Sequence, residues 1–327
     1  MIKNLVSIIT PCYNGEKYVS RLLESVLAQD YPMIEMYVVD DGSTDNSYAL
    51  INSYIPKFKN KGYSLQCVRQ KNSGQAAAIQ KVLKQVQGEF LTWPDNDDFF
   101  SSNESISKFV ERFTALPQDY GIVRCYVNYV DGDSLKFLYL RKFNINKEKQ
   151  FEEFFLSKES IAVAGLYMVR MSVFDKANPQ REIYIGEHPQ NWQLLLPVLY
   201  NSKISTIELP LYTVLVRNDS HSRAKKTYEQ SLKTLDGYLN ILTYTINQIQ
   251  MPNSDKTKYL LKMKRHIYLE RIDNALFYFN RKEILSVYND FKAMGGTITF
   301  GKKVKICSLL IHPICLKMLN KVLSIKR

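Results

Sequence analysis

Asp95, Asp97 and Asp98 are the residues of this 327-residue chain best suited to do chemistry. They stand in Trp93-Pro94-Asp95-Asn96-Asp97-Asp98, directly after the apolar run Phe90-Leu91-Thr92. Three carboxylates crowded at the end of a buried strand repel one another unless a cation neutralises them. Hard divalent ions such as Mg²⁺ and Mn²⁺ take oxygen ligands, and Mg²⁺ uses one or two carboxylates together with substrate phosphates. The same residues also read as an acidic turn capping a helix that begins near Ser102. Short acidic motifs recur by chance, so the motif alone leaves both readings open.

The elements that must hold this cluster alternate along the chain. Leu5-Val6-Ser7-Ile8-Ile9-Thr10 is a β-branched apolar run closed by the turn-forming Pro11-Cys12-Tyr13-Asn14-Gly15. Val19, Leu22, Leu23, Val26 and Leu27 follow at helical spacing. Ile34 to Val39 predicts a second strand, ending at Asp40-Asp41-Gly42-Ser43-Thr44-Asp45, where Ser43 or Thr44 is expected to cap a helix with Leu50, Ile51 and Ile55 on its apolar face. Leu65-Gln66-Cys67-Val68 is a third strand, and Ser73-Gly74-Gln75-Ala76 opens a helix running towards Val86. Strand–helix alternation predicts an α/β fold with a mostly parallel sheet flanked by helices. Ligands of such sheets bind beyond the carboxyl ends of the strands. Tyr13, Asn14, Asp41, Gly74 and the Asp95–Asp98 cluster all fall there.

Val6-Ser7-Ile8-Ile9-Thr10-Pro11-Cys12-Tyr13-Asn14, Val38-Val39-Asp40-Asp41-Gly42-Ser43-Thr44-Asp45 and Asp95-Asn96-Asp97-Asp98 resemble, in order and spacing, three signatures of the family-2 inverting glycosyltransferases of the GT-A fold, over roughly residues 4 to 225. The resemblance implies a nucleotide-sugar donor, UDP-linked by expectation, in a Rossmann-like domain. It places Pro11, Tyr13 and Asn14 along the nucleotide, with the Tyr13 ring against the uracil. It gives Asp41 a hydrogen bond from the base, and lays Gly74 and Gln75 near the diphosphate or ribose, where small residues allow close backbone approach. Asp95 and Asp97 match the Asp-x-Asp motif, with Asp97 the favoured ligand of Mn²⁺ or Mg²⁺, Asp95 facing donor and metal, and Asp98 sharing the metal role.

The chain departs from the family where the acceptor must lose its proton. The family's base is usually the aspartate of a Glu-Asp pair before an aromatic residue, and the matching place here is Gln190-Asn191-Trp192-Gln193. An amide orients a hydroxyl but is no proton acceptor at neutral pH. Asn191 is therefore expected to position the acceptor, with Glu187 the nearest candidate base and His188 the next. Further on, Arg217 is expected to pair with donor phosphates through its planar fork, and His221 to approach the metal.

Charge and composition bound the remainder. Lys and Arg number 44 against 32 Asp and Glu, a formal net charge of +12. Cys12, Cys67, Cys125, Cys307 and Cys315 lack the paired spacing of a zinc site or disulfide framework, and no signal-like stretch precedes Leu5. Both point to a reducing cytoplasm. Past Asp290 the chain carries no acidic residue, while Lys292, Lys302, Lys303, Lys305, Lys317, Lys321, Lys326 and Arg327 remain. Between them run Ile306, Leu309, Leu310, Ile311, Ile314, Leu316, Leu319, Val322 and Leu323, too interrupted for a membrane span. The expectation is a basic amphipathic helix on an anionic leaflet, or one packed on the protein with its lysines in water. No nucleic-acid motif is present, and nucleic acid is not expected as a partner.

Leu232, Leu235, Leu239, Leu242 and Ile246, and then Ile267, Leu269, Ile272, Leu276 and Phe279, recur at helical spacing with a break at Pro252. The organisation expected is a GT-A catalytic domain over 1–225 and a helical C-terminal domain over 226–327, serving homo-oligomerisation or membrane docking. The activity expected is metal-dependent transfer of a hexosyl group to a glycan or lipid-linked acceptor in surface polysaccharide synthesis, peripheral on the inner membrane face. A sugar nucleotidyltransferase would want a Gly-rich basic phosphate loop after the first strand, which Pro11 to Gly15 is not. A non-catalytic nucleotide-sugar-binding scaffold is the reading that Asn191 keeps open.

Overall fold

The computed structural model describes residues 1–144, 148, 150–156, 163–186, 190–217 and 226–325. The chain divides into two units, Met1–Ala224 with Tyr244–Gln250, and Lys225–Thr243 with Met251–Arg327.

The apolar runs of the first unit become strands because β-branched residues fit a pleated, buried surface. In chain order the unit holds β1 (Ile2–Cys12), α1 (Val19–Leu27), β2 (Ile34–Asp40), α2 (Ser47–Lys61), β3 (Ser64–Arg69), α3 (Gln75–Leu83) and β4 (Gly88–Thr92). Then come β5 (Phe99–Phe100), α4 (Ser105–Ala115), β6 (Tyr120–Asp131), β7 (Phe137–Arg141), α5 (Phe151–Leu156), β8 (Tyr167–Arg170), α6 (Met171–Ala177), α7 (Asn191–Asn201) and β9 (Lys203–Val216). The described strands form one sheet in the order β3-β2-β1-β4-β8-β6-β9-β5, with β7 paired to β6. β1 pairs parallel with β2 and β4, and β2 parallel with β3. β8 runs antiparallel between β4 and β6, so β6 and β9 point the same way as the first four strands.

The register sets where the functional loops begin. Cys12 lies opposite Asp40 and Asp40 opposite Arg69, so β1, β2 and β3 end side by side. β2 is buried along its whole length, as a strand covered on both faces must be. Helix α1 buries Val19, Leu22, Leu23 and Val26, the stripe its spacing predicts. Helix α2 buries Ile51, Tyr54 and Phe58. It starts at Ser47, with Asn46 before it and no side-chain cap, so the expected capping by Ser43 or Thr44 is corrected: both bond to the β1 loop instead.

The second unit is helical: most of α8 (Tyr228–Gln248), then α9 (Asn253–Phe277), α10 (Arg281–Ala293), α11 (Phe300–Ile311) and α12 (Pro313–Ile325). Asn280 and Thr299 cap α10 and α11 through their side-chain oxygens. Ile272, Leu276, Ile284, Phe291, Leu309 and Leu316 share its core. The basic C-terminal stretch is thus two helices broken at His312–Pro313, because proline has no N–H to continue α11. Its apolar residues divide between core and surface.

Candidate active site

The loops after β1, β2, β3 and β4, and Arg217 just past β9, are tied together by polar side chains. Backbone N–H of Asn14 donates to Ser43 Oγ at 3.0 Å, and Thr44 N–H donates to Asn14 Oδ1 at 2.9 Å, joining the loops after β1 and β2. Gly15 lies against the loop after β4: a Cβ there would stand 2.1 Å from Asn96 Nδ2 and 2.7 Å from Cys12 Sγ, so a larger residue would have to push these side chains aside. Asp40 is fully buried and paired with Arg69 at 3.0 Å, which fixes the ends of β2 and β3.

Asp41 organises the next turn. Its carboxylate accepts hydrogen bonds from Gln70 Nε2, Ser73 N and Gly74 N, each at 2.8 Å. Gly74 sits at φ +88°, open to glycine and strained for other residues, and opens α3. Gly186 O lies 3.9 Å from where a Gly74 Cβ would be, so the loop before α7 comes beside this turn. That loop is fastened to α3: Gln80 bonds Arg181 O and Ile183 N, and Lys84 pairs with Glu182. Gln193 closes it from α7 by holding both N–H and C=O of Tyr184.

The acidic cluster spans β4 and β9. Asp97 pairs with Arg217 at 2.8 Å, and the Arg217 guanidinium lies 4.4 Å from the centre of the Tyr18 ring. Asp98 turns inward, buried, and accepts the Leu215 N–H at 2.9 Å. Burial, then the charge of Asp97, pushes Asp95 up to about 7. Burial pushes Asp98 well above the ordinary carboxylate range, with Asp97 and Asp95 adding to it, while Leu215 N–H and Arg217 pull the other way. Asp97 is thus paired with Arg217, while burial and the neighbouring carboxylates hold Asp95 and Asp98 towards their protonated forms.

Behind the cluster, Trp93 is fully buried and its indole N–H donates to Asn191 Oδ1 at 2.7 Å. This bond runs from the residue two before Asp95 to the first residue of α7. Trp192 Nε1 donates to Phe154 O at 3.0 Å, anchoring α7 on its other flank.

The structure brings Pro11, Tyr13, Asn14, Asp41, Gly74, Gln75, Asp95, Asp97 and Arg217 to neighbouring strand ends and loops of the first unit. Tyr13 is 48% exposed, available for a ring to stack on. Asp98 is buried and bonded to the β9 backbone at Leu215. No group of three or more His, Cys, Asp or Glu able to hold a metal is present among the described residues. Asp95 and Asp97 lie close enough for the charge of Asp97 to raise Asp95, and such a pair fits a hard divalent ion that completes its shell with phosphate and water. Glu187, His188 and His221 lie outside the described residues. Burial and the nearby Asp40 charge push the Cys12 thiol up to about 12, so it is no nucleophile here.

Sequence reasoning missed Trp93 as a partner of Asn191, and the tying roles of Ser43, Asn96 and Gln193. No period or spacing in the sequence pairs Trp93 with Asn191, 98 residues apart.

Loops gathered beyond the carboxyl ends of a mostly parallel sheet, with an acidic cluster and an arginine among them, stand where α/β folds bind their ligands. Residues 7–177 match the model of Glycosyl transferase family 2, and the chain belongs to that family. It is a glycosyltransferase of the GT-A fold. It is 25% identical over 311 residues to an uncharacterized glycosyltransferase of Rickettsia typhi, covering 93% of this chain and 91% of that one. It is 35% identical over 136 residues to an uncharacterized glycosyltransferase of Haemophilus influenzae, covering 40% of this chain and about half, 51%, of the relative. Among solved structures, Staphylococcus aureus TarS 1–349 in complex with UDP-GlcNAc superposes with a TM-score of 0.64 at 19% identity, covering 97% of this chain and 92% of that one. The mannosyltransferase PcManGT of Pyrobaculum calidifontis, in complex with GDP-Man and Mn²⁺, superposes at 0.53 with 15% identity, covering 98% and 88%.

Proposed function

We propose that this chain is a metal-dependent, inverting glycosyltransferase that moves a sugar from a UDP-sugar to a glycan or lipid-linked acceptor in surface polysaccharide synthesis, working at the inner face of the membrane. The observation that carries the reading is the neighbouring Asp95 and Asp97, with Asp97 paired to Arg217, beside the loops that Asn14, Ser43 and Asp41 tie together. The TarS fragment's UDP-GlcNAc supports a uridine donor, and the Mn²⁺ of PcManGT supports the metal.

Asp97, with Asp95 beside it, would hold the ion, which spreads the charge of the departing diphosphate as a Lewis acid. Arg217 is placed to leave Asp97 for the phosphates, to which its fork is equally suited. The turn at Gly74, fixed by Asp41, offers backbone N–H groups at the start of α3 to the same anion. Tyr13 stacks on the base, and the remaining lone pair of Asp41 accepts from it. Asn191 holds Trp93, so the proton of the acceptor hydroxyl goes to a group in the loop before α7, Glu187 first and His188 second.

The test is a screen of nucleotide sugars for Mn²⁺-dependent stabilisation and hydrolysis. UDP-sugars should stabilise and be hydrolysed, and Asp97→Ala should abolish transfer, about 3–4 kcal/mol or more on the barrier, with the fold retained. Glu187→Gln should lower kcat by about 10²–10⁴-fold with donor binding little changed. Full activity in excess chelator would refute the metal role. Donor binding without any turnover would leave a binding subunit.

A further inference from the structure

The C-terminal unit splits the apolar residues of its basic stretch between core and surface. Ile306, Leu309 and Leu316 are buried in its core, yet Ile311 is 71%, Ile314 51% and Met318 65% exposed. These three flank the corner at His312–Pro313 where α11 meets α12. On α12, residues 314, 317, 318 and 321 share one helical face, so Lys317 and Lys321 alternate with Ile314 and Met318 there. On α11, residues 300, 303, 307 and 311 share another, which sets Phe300, 81% exposed, and Ile311 on the same side as Lys303.

We infer that this corner of α11 and α12 docks the protein on an anionic lipid bilayer, with Ile311, Ile314 and Met318 entering the headgroup boundary and Lys303, Lys317 and Lys321 meeting lipid phosphates. Large apolar side chains ringed by lysines are the arrangement of an interfacial surface. Each lysine near an anionic leaflet adds to the attraction, and no acidic residue past Asp290 opposes it. The 12 and 13 residues of α11 and α12 are too few to cross the hydrocarbon core, and no described helix is long and apolar enough to do so, so the helices lie on the membrane. A second copy of the chain is a poorer occupant. A two-fold contact through this face would bring its own lysines against the same lysines.

The inference extends the membrane-face reading above and makes no use of the donor site. The full chain should co-sediment with vesicles of phosphatidylcholine containing 30% phosphatidylglycerol at least tenfold better than with pure phosphatidylcholine, and lose that preference in 0.5 M salt. The variant I311N/I314N/M318N, and separately K303E/K321E, should each lower the bound fraction at least tenfold. All the altered side chains are exposed, and unchanged circular dichroism and UDP binding would show that the fold is intact. Equal binding to both vesicles, no binding, or variants that bind like the wild type would overturn the proposal. So would a wild-type oligomer that I311N/I314N/M318N turns into a monomer, since a second copy would then own the face. Loss of UDP binding in the wild type would count against the donor reading and leave this one standing.

Discussion

Breaking the Trp93–Asn191 hydrogen bond measures how firmly the acidic loop is braced from behind. The bond is 2.7 Å long, between an indole 1% exposed and an amide 7% exposed, so water cannot replace a lost partner. Asn191→Ala leaves the indole N–H without its acceptor, at a cost of about 1–3 kcal/mol for a buried unsatisfied group. Trp93→Phe removes the donor and also packing volume, so its own loss is larger and not attributable to the bond alone. The double variant separates the two: the coupling between the sites should be about 1–3 kcal/mol. The chain has two tryptophans, Trp93 and Trp192, both in the first unit, so denaturant unfolding followed by tryptophan fluorescence reports that unit alone, even in Trp93→Phe. The same variants should weaken UDP binding in Mn²⁺, because Pro94 carries any shift of Trp93 directly into Asp95. Asn191→Asp keeps an oxygen for the indole, so the fold should be retained, at the electrostatic cost of one more carboxylate near Asp95 and Asp98. Additive losses, with coupling below about 0.5 kcal/mol, would refute the bracing role and return Asn191 to the acceptor.

Two further outcomes follow from the loops. Asp41→Ala should weaken UDP binding by about 1–3 kcal/mol and also lower thermal stability, since Gln70 Nε2, Ser73 N and Gly74 N lose their shared acceptor; calorimetry showing unchanged affinity would remove Asp41 from the donor site. Asp95 is raised to about 7, so the folded metal-free protein binds its proton more tightly than the unfolded chain, and this group's contribution to stability is greatest below the ordinary carboxylate range and declines as pH rises towards 7. In chelator, the wild type should therefore lose melting temperature relative to Asp95→Asn between pH 5 and pH 8, and a constant difference would contradict it.

The fold was legible because its signals are local. The β-branched runs at Leu5–Thr10 and Ile34–Val39 and the helical stripe from Val19 to Val26 all became the expected elements. The convergence of Asn14, Asp41, Gly74 and Asp95 followed from one general fact, that parallel strands end on the same side. Contacts between distant loops were not legible. Asn96 against Gly15, Asp98 on Leu215 N–H and Trp93 on Asn191 join residues 81 to 117 positions apart, and no period or spacing encodes which polar group meets which. Ser43 shows the same limit in miniature: its type predicts a helix cap, and the nearby Asn14 N–H wins it instead. The split of the C-terminal apolar residues into core and surface failed for a different reason, since the Pro313 break turns one apparent amphipathic stripe into two differently oriented ones.

The amide at position 191 has an electrostatic rationale in this cluster. The pocket already contains Asp95, Asp97 and Asp98, with Arg217 paired to Asp97 and burial holding Asp95 and Asp98 above their usual range. A carboxylate at 191, one side chain away from Trp93, would add another negative charge in the same low-dielectric region and raise the others further. Asparagine accepts the indole hydrogen bond with no charge at all. The brace is kept and no further charge is added to the acidic cluster, at the expense of a proton acceptor on α7. Under the proposed mechanism the proton then goes to a group that follows Gly186 in sequence; Gly186 lies beside the Gly74 turn, and the residues before it are fastened by Gln80 and Lys84 at Arg181 to Ile183 and by Gln193 at Tyr184.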